Sequence, residues 1–122
     1  MDPKPLHFVG SSRDDIRDLP RAVRVVIGSA LYDAQRGEKP ANAKPLKGFK
    51  GASVLEVIEN YDGDTYRAVY TIKFRGVVYV LHCFKKKSKK GVSTPKPDIE
   101  LINQRLKAAK DHHDAMYVSG GK

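Results

Sequence analysis

Apolar positions recur at helical intervals through Ile16, Leu19, Val23, Val26, Ile27, Ala30, Leu31 and Ala34, tracing one buried stripe. Ser11 and Ser12 stand before this stripe as N-cap residues, with Asp15 placed to complement the helix dipole. Pro20 lies inside it, removes a backbone donor and disfavours the α conformation at Leu19. A kink or a fresh helix start is therefore expected near Asp18 to Pro20. Gly37 suits the C′ position that closes this helix. Upstream, Leu6-His7-Phe8-Val9 reads as a short first strand.

Residues 38–53 carry Pro40, Pro45, Gly48 and Gly51 and read as a loop. Three strand-like segments follow, Val54 to Asn60, Thr65 to Phe74 and Val77 to Lys85, all rich in β-branched and aromatic residues. Asp62-Gly63 and Arg75-Gly76 mark the turns between them. Residues 86–97 form a Lys-rich loop, and Ile99, Ile102, Leu106 and Ala109 trace a last helix to about His112. Together these elements predict an α+β fold: a small antiparallel sheet, made of a three-strand meander plus the N-terminal strand, with helices packed on one face. Residues 1–118 make one domain, and residues 119–122 form a disordered tail.

If Arg75-Gly76 is a two-residue hairpin loop, Phe74 faces Val77 and the register of both strands follows. Tyr66, Ala68, Tyr70, Ile72 and Phe74 then share the core side with Tyr79, Leu81 and Cys83. Arg67, Val69, Thr71 and Lys73 share the other side with Val78, Val80, His82 and Phe84, and Lys86 continues that alternation. A longer loop would break this parity.

Composition changes the picture through where the charge lies. The 122 residues hold 23 Lys plus Arg against 14 Asp plus Glu, a formal charge of +9. Between Asp64 and Asp98 there is no acidic residue and nine basic ones: Arg67, Lys73, Arg75, Lys85, Lys86, Lys87, Lys89, Lys90 and Lys96. The rest of the chain is neutral. A basic face that is only solvated usually interleaves acids to relieve self-repulsion, so an acid-free block points to a polyanion, nucleic acid above all. The single cysteine, Cys83, excludes an internal disulfide scaffold and Cys-based zinc sites, and a reducing cytoplasm is expected. No apolar run approaches the ~18 residues of a membrane span.

From the residues alone, Arg67 reads either as a surface strand residue balancing Asp62 or Asp64, or as one of a group with His82 and Lys86 on the uncovered side beside the acid-free loop. His82 reads as a half-buried histidine with a backbone partner, or as a member of that same group. Phe84 is either core or a stacking platform for a base. Cys83 reads as core filler. Adjacent His112 and His113 point to different sides of a helix and are not a metal pair. Because Arg67 alternates away from the core residues, Arg67→Ala is expected to cost below about 1 kcal/mol of stability.

Tyr66-Arg67-Ala68-Val69-Tyr70, Tyr79-Val80-Leu81-His82, Phe84-Lys85-Lys86-Lys87-Ser88-Lys89-Lys90-Gly91 and Thr94-Pro95 occur in that order. With Leu46-Lys47-Gly48-Phe49 upstream and Asp98-Ile99 downstream, this pattern resembles the RelE/ParE superfamily of toxins, in its HigB-like, phage-derived branch. The resemblance spans about residues 15–110. It implies a RelE-like fold and the toxin of a type II toxin–antitoxin system. Many such relatives are ribosome-dependent mRNA endoribonucleases; others, of the ParE type, inhibit DNA gyrase without catalysis. The implied partners are a helix-turn-helix antitoxin, in a heterodimer or heterotetramer, and the ribosome with its mRNA.

The implied chemistry is metal-free transphosphorylation with no cofactor: the ribose 2′-OH attacks the adjacent phosphate, which needs acid/base groups and cations around the developing charge. Carried over by position, Arg67, His82 and Lys86 become the candidate catalytic residues. Lys73, Phe84, Lys85, Lys87, Lys89 and Lys90 become the candidate RNA- and ribosome-binding residues. Where other branches place further acid/base groups, this chain has His112, His113 and Tyr117.

Overall fold

The computed structural model describes residues 2–86 and 94–118. Five strands form one sheet in the order β1-β5-β4-β3-β2: β1 (Leu6–Phe8), β2 (Ala43–Pro45), β3 (Val54–Tyr61), β4 (Asp64–Thr71) and β5 (Val78–Lys86). Helices α1 (Ser12–Arg17) and α2 (Arg21–Gln35) connect β1 at one edge to β2 at the other. Helix α3 (Lys96–His113) runs into a π-helical turn at Asp114–Val118. Among the described residues, no helix is long and apolar enough to cross a membrane.

The break between α1 and α2 falls where Pro20 requires it. Asp18 closes α1 and Pro20 is the N-cap of α2, a position that needs no donor. Ser11 occupies the N-cap of α1, but its hydroxyl bonds the Asp15 carboxylate at 2.9 Å and not a free backbone N–H. Gly37, with φ 83°, ends α2 as expected. Its N–H reaches Ala34 O and the Glu38 N–H reaches Asp33 O, the paired bonds of a Schellman motif. Val23, Ile27, Ala30, Leu31 and Ala34 of α2 are buried against Leu55, Val57, Tyr66, Ala68, Tyr70, Val78 and Val80. Each of the larger side chains contributes roughly 1.5–3 kcal/mol by leaving water.

The β3–β4 hairpin turns through Asp62 and Gly63, both at positive φ (52° and 84°), the combination that matches strand twist. The β4–β5 connection differs from the expected two-residue loop. β4 stops at Thr71 and β5 begins at Val78, and the Arg75-Gly76 turn sits at the tip of a longer connection. The expected pairing holds for Arg67 with Phe84, Ala68 with Cys83 and Val69 with His82. It then slips by one, with Tyr70 facing Val80 and Thr71 facing Tyr79. Leu81 is the extra residue of this bulge.

The slip moves Tyr79 and Leu81 to the face opposite Tyr70, correcting their expected side. There, with Val69, Val54, Leu46 and Val77, they form a second apolar layer that receives Ile102 and Ala109 of α3. The helices therefore pack on both faces, α1 and α2 on one and α3 on the other. The sheet is also mixed, because β1 pairs with β5 in parallel. The expected loop at 38–53 contains β2, a short edge strand paired to β3. Cys83 is core filler, and burial pushes its thiol up to about 12. The expected tail at 119–122 lies outside the described residues.

Candidate functional site

Helix α3 packs on the apolar part of its face of the sheet through Ile102 and Ala109. Beyond it, alternation along the strands gathers polar side chains from four of them. Lys44 of β2 faces Glu56 of β3. Glu56 faces Val69, and Arg67 of β4 is therefore its diagonal neighbour. Arg67 in turn faces Phe84 of β5, flanked on the same side by His82 and Lys86.

Two ionic contacts organise this surface. Arg67 Nη1 donates to Glu56 Oε1 at 2.6 Å, with the residues only 6% and 3% exposed. His82 Nε2 lies 2.7 Å from Asp98 Oδ1, in the first turn of α3. The His82 ring stacks on Phe84, with centroids 4.6 Å apart and planes within 17°. Lys86 is 5% exposed, and its ammonium is held below the usual lysine range. Desolvation is the main cause, with repulsion from Arg67 and Lys44 outweighing attraction to Glu56 enough to leave the shift downward. Arg67, Lys86 and Lys44 stand against Glu56 and Asp98, which leaves one positive charge in excess where an anion is attracted.

Among the described residues, three buried side-chain polar atoms have no hydrogen-bond partner: Arg67 Nε, His82 Nδ1 and Thr94 Oγ1. Buried polar atoms are nearly always paired, because an unpaired one forfeits its hydration. Two of the three belong to this face. The third lies four residues before Asp98, the partner of His82. Unpaired polar atoms beside buried positive charge make this face the candidate site.

Of the residues expected from the sequence, Arg67, His82, Phe84 and Lys86 come together here. Arg67 is buried and paired with Glu56, not with Asp62 or Asp64, so the low cost expected for its truncation is corrected. The partner of His82 is a carboxylate, not the backbone. Lys85 points to the α1/α2 side and meets Asp64 at 3.6 Å. Lys73 is exposed beyond the far end of β4, six residues or roughly 20 Å along the strand from Arg67. Lys87, Lys89 and Lys90 lie outside the described residues. Glu56, Asp98 and Lys44 were not among the expected site residues. For Glu56 the signal was legible: it is the one charge within the apolar run Val54 to Ile58.

The C-terminal candidates collect elsewhere. The Tyr79 hydroxyl meets His112 Nδ1 at 2.8 Å, His7 Nε2 meets the Tyr117 hydroxyl at 3.1 Å, and His113 Nε2 donates to Arg75 O at 2.8 Å. Tyr79 faces Thr71, at the other end of the β4–β5 ladder from Arg67 and Phe84. Among the described residues, no group of three or more His, Cys, Asp or Glu is placed to hold a metal ion.

Comparison with known proteins adds a family and a fold. The family described as phage-derived protein Gp49-like matches residues 14–107. The free-state structure of an arginine double mutant of the E. coli toxin RelE is 20% identical. It matches over 88% of this chain and 98% of its own, with a TM-score of 0.57. The toxin–antitoxin complex RelBE2 of Mycobacterium tuberculosis matches at 22% identity over 70% of this chain and 100% of its own, with a TM-score of 0.48. Among curated proteins, none matches the chain.

Proposed function

The chain belongs to the phage-derived Gp49-like family, a RelE-like toxin family of the RelE/ParE superfamily, and from that premise we propose that it is the toxin of a type II toxin–antitoxin system, acting in the cytoplasm as a ribosome-dependent mRNA endoribonuclease. The observation that carries this reading is the buried cationic surface around Arg67, with Arg67 Nε and His82 Nδ1 both unpartnered. A toxin that only blocks a protein target has no need of acid/base and phosphate-binding groups converging on one buried face.

In this reading the scissile phosphate sits against Arg67, whose guanidinium has unused donor capacity at Nε and is aimed by Glu56. Lys86 adds positive charge where the phosphorane develops, and a desolvated ammonium gives up its proton more readily than an exposed one. His82 exchanges a proton with the reacting ribose or leaving oxygen. Phe84 borders the site and offers an aromatic edge to a base. Lys87, Lys89 and Lys90 hold the flanking RNA and ribosome. A helix-turn-helix antitoxin neutralises the toxin as a heterodimer or heterotetramer.

Purified protein added to ribosomes programmed with a short message tests the reading. Cleavage leaving a 2′,3′-cyclic phosphate and a 5′-hydroxyl, undiminished by a chelator, is the expected result. Intact message at stoichiometric protein overturns it.

A further inference from the structure

Asp98 is the one acid of the candidate site that comes from a helix. It sits in the first turn of α3, beside the unbonded N–H groups of the helix start. A charged carboxylate only accepts hydrogen bonds. Its oxygen lies 2.7 Å from His82 Nε2, so the hydrogen of that contact resides on Nε2. A neutral His82 then has a bare lone pair at Nδ1, and Nδ1 is the buried atom with no partner. The ring plane is fixed as well, by Phe84 stacked at 4.6 Å. With the plane and one nitrogen both held, the position of the other nitrogen is set.

We infer that Asp98 is a positioning residue that holds His82 in the Nε2–H tautomer, so that the proton moved during RNA cleavage enters at Nδ1. This deepens the proposed endoribonuclease reading and rests on it for the cleavage step, though not for the tautomer. As O2′ bonds to phosphorus, its proton passes to Nδ1 and gives an imidazolium whose Nε2–H stays on Asp98. The P–O5′ bond breaks, the departing O5′ takes a proton from Lys86, and Lys86 recovers one from solvent as the His82 imidazolium releases the O2′ proton to solvent. The products are a 2′,3′-cyclic phosphate and a 5′-hydroxyl. The charged groups facing His82 are then Asp98 from α3, Arg67 with Glu56 across β4 and β3, and Lys86 on β5. Among the described residues, Asp98 is the one in hydrogen-bond contact with it.

A purely structural clamp between α3 and the sheet would also place Asp98 near β5, and the two roles separate experimentally. Nitrogen-15 NMR of the imidazoles in the free protein reads the tautomer directly. The expected spectrum of neutral His82 has the proton on Nε2, and a proton on Nδ1 overturns the inference. In Asp98→Asn, kcat falls by on the order of 100-fold or more with KM little changed. Its pH–rate profile changes, because the imidazolium has lost the carboxylate it contacts. Asp98→Glu restores part of kcat. An Asp98→Asn protein with an unchanged rate and pH profile contradicts the positioning role. So does a variant whose loss of rate is matched by loss of folding and is not relieved by glutamate. If wild-type protein cuts no RNA under any condition, the endoribonuclease reading fails by itself, and the tautomer spectrum still decides the placement of the proton.

Discussion

Arg67 Nη1 and Glu56 Oε1 lie 2.6 Å apart on neighbouring strands, both almost wholly out of water. Bringing two charges into such a place costs several kcal/mol per ion, which their attraction offsets only when both are present. Removing one leaves the other unpaired in a poorly solvated setting. Arg67 is thus at once a candidate ligand for phosphate and a structural partner, and substitutions there must separate the two roles.

Arg67→Ala is expected to lower stability by about 3 kcal/mol, because Glu56 loses its hydrogen-bonded ion pair and keeps only the charges of Lys44 and Lys86. Arg67→Lys keeps a cation beside Glu56 and should remain folded. It loses the planar fork that engages two phosphate oxygens, and its cleavage rate should drop roughly 100-fold. Chemical denaturation and single-turnover cleavage on the same preparations check both numbers. A fully active Arg67→Lys protein would remove the phosphate fork from the account.

What was legible in the sequence and what was not divides along local and non-local causes. Pro20, Gly37 and Asp62-Gly63 act on the backbone within a few residues, and each acts where the chain pattern places it. β1 joins β5 across some seventy residues, a pairing that no local pattern announces. β2 has the composition of a loop, with Lys44 and Pro45, and becomes a strand only because β3 supplies its bonds. The extra residue Leu81 reverses the sides of everything before it on β5, which is why α3 finds an apolar face to cover. At the site, alternation placed Arg67, His82, Phe84 and Lys86 together because the register holds on that side of the bulge. Asp98 reaches His82 only through the docking of α3, and the sequence carries no spacing that reveals it.

The bulge depends on Arg105, which donates to Leu81 O and to Ser11 Oγ, both at 2.9 Å. Gly10 packs against that guanidinium: a Cβ there would lie 2.7 Å from Arg105 Nε, and φ is 59°. Gly10→Ala should therefore cost about 2–3 kcal/mol, combining backbone strain with disturbed hydrogen bonds. Gly37→Ala, at φ 83° with nothing within 4 Å of the new methyl, should cost only about 1 kcal/mol. Urea denaturation of the two variants gives the comparison, and equal losses would show that the contact with Arg105 contributes nothing.

His7 titrates below its ordinary value of 6.5, first through burial and then through repulsion by His112. The unfolded chain binds this proton more readily than the folded one, so stability is full above 6.5 and is lost as pH falls through that value toward the depressed one. Tyr79, His112 and Tyr117 surround the ring. Thermal unfolding from pH 8 to pH 5 should show a loss of stability in the wild-type protein that is smaller in His7→Phe. Parallel curves for the two proteins would place the acid sensitivity elsewhere.

The central claim is that this surface cuts RNA on the ribosome, and mapping of mRNA 5′ ends after brief induction tests it most directly, with wild type and Arg67→Lys compared at equal protein level. New 5′-hydroxyl ends in phase with codons within translated regions are expected for the wild type, with a strong reduction of them for the variant. Intact messages in arrested cells, with supercoiling blocked instead, would contradict it.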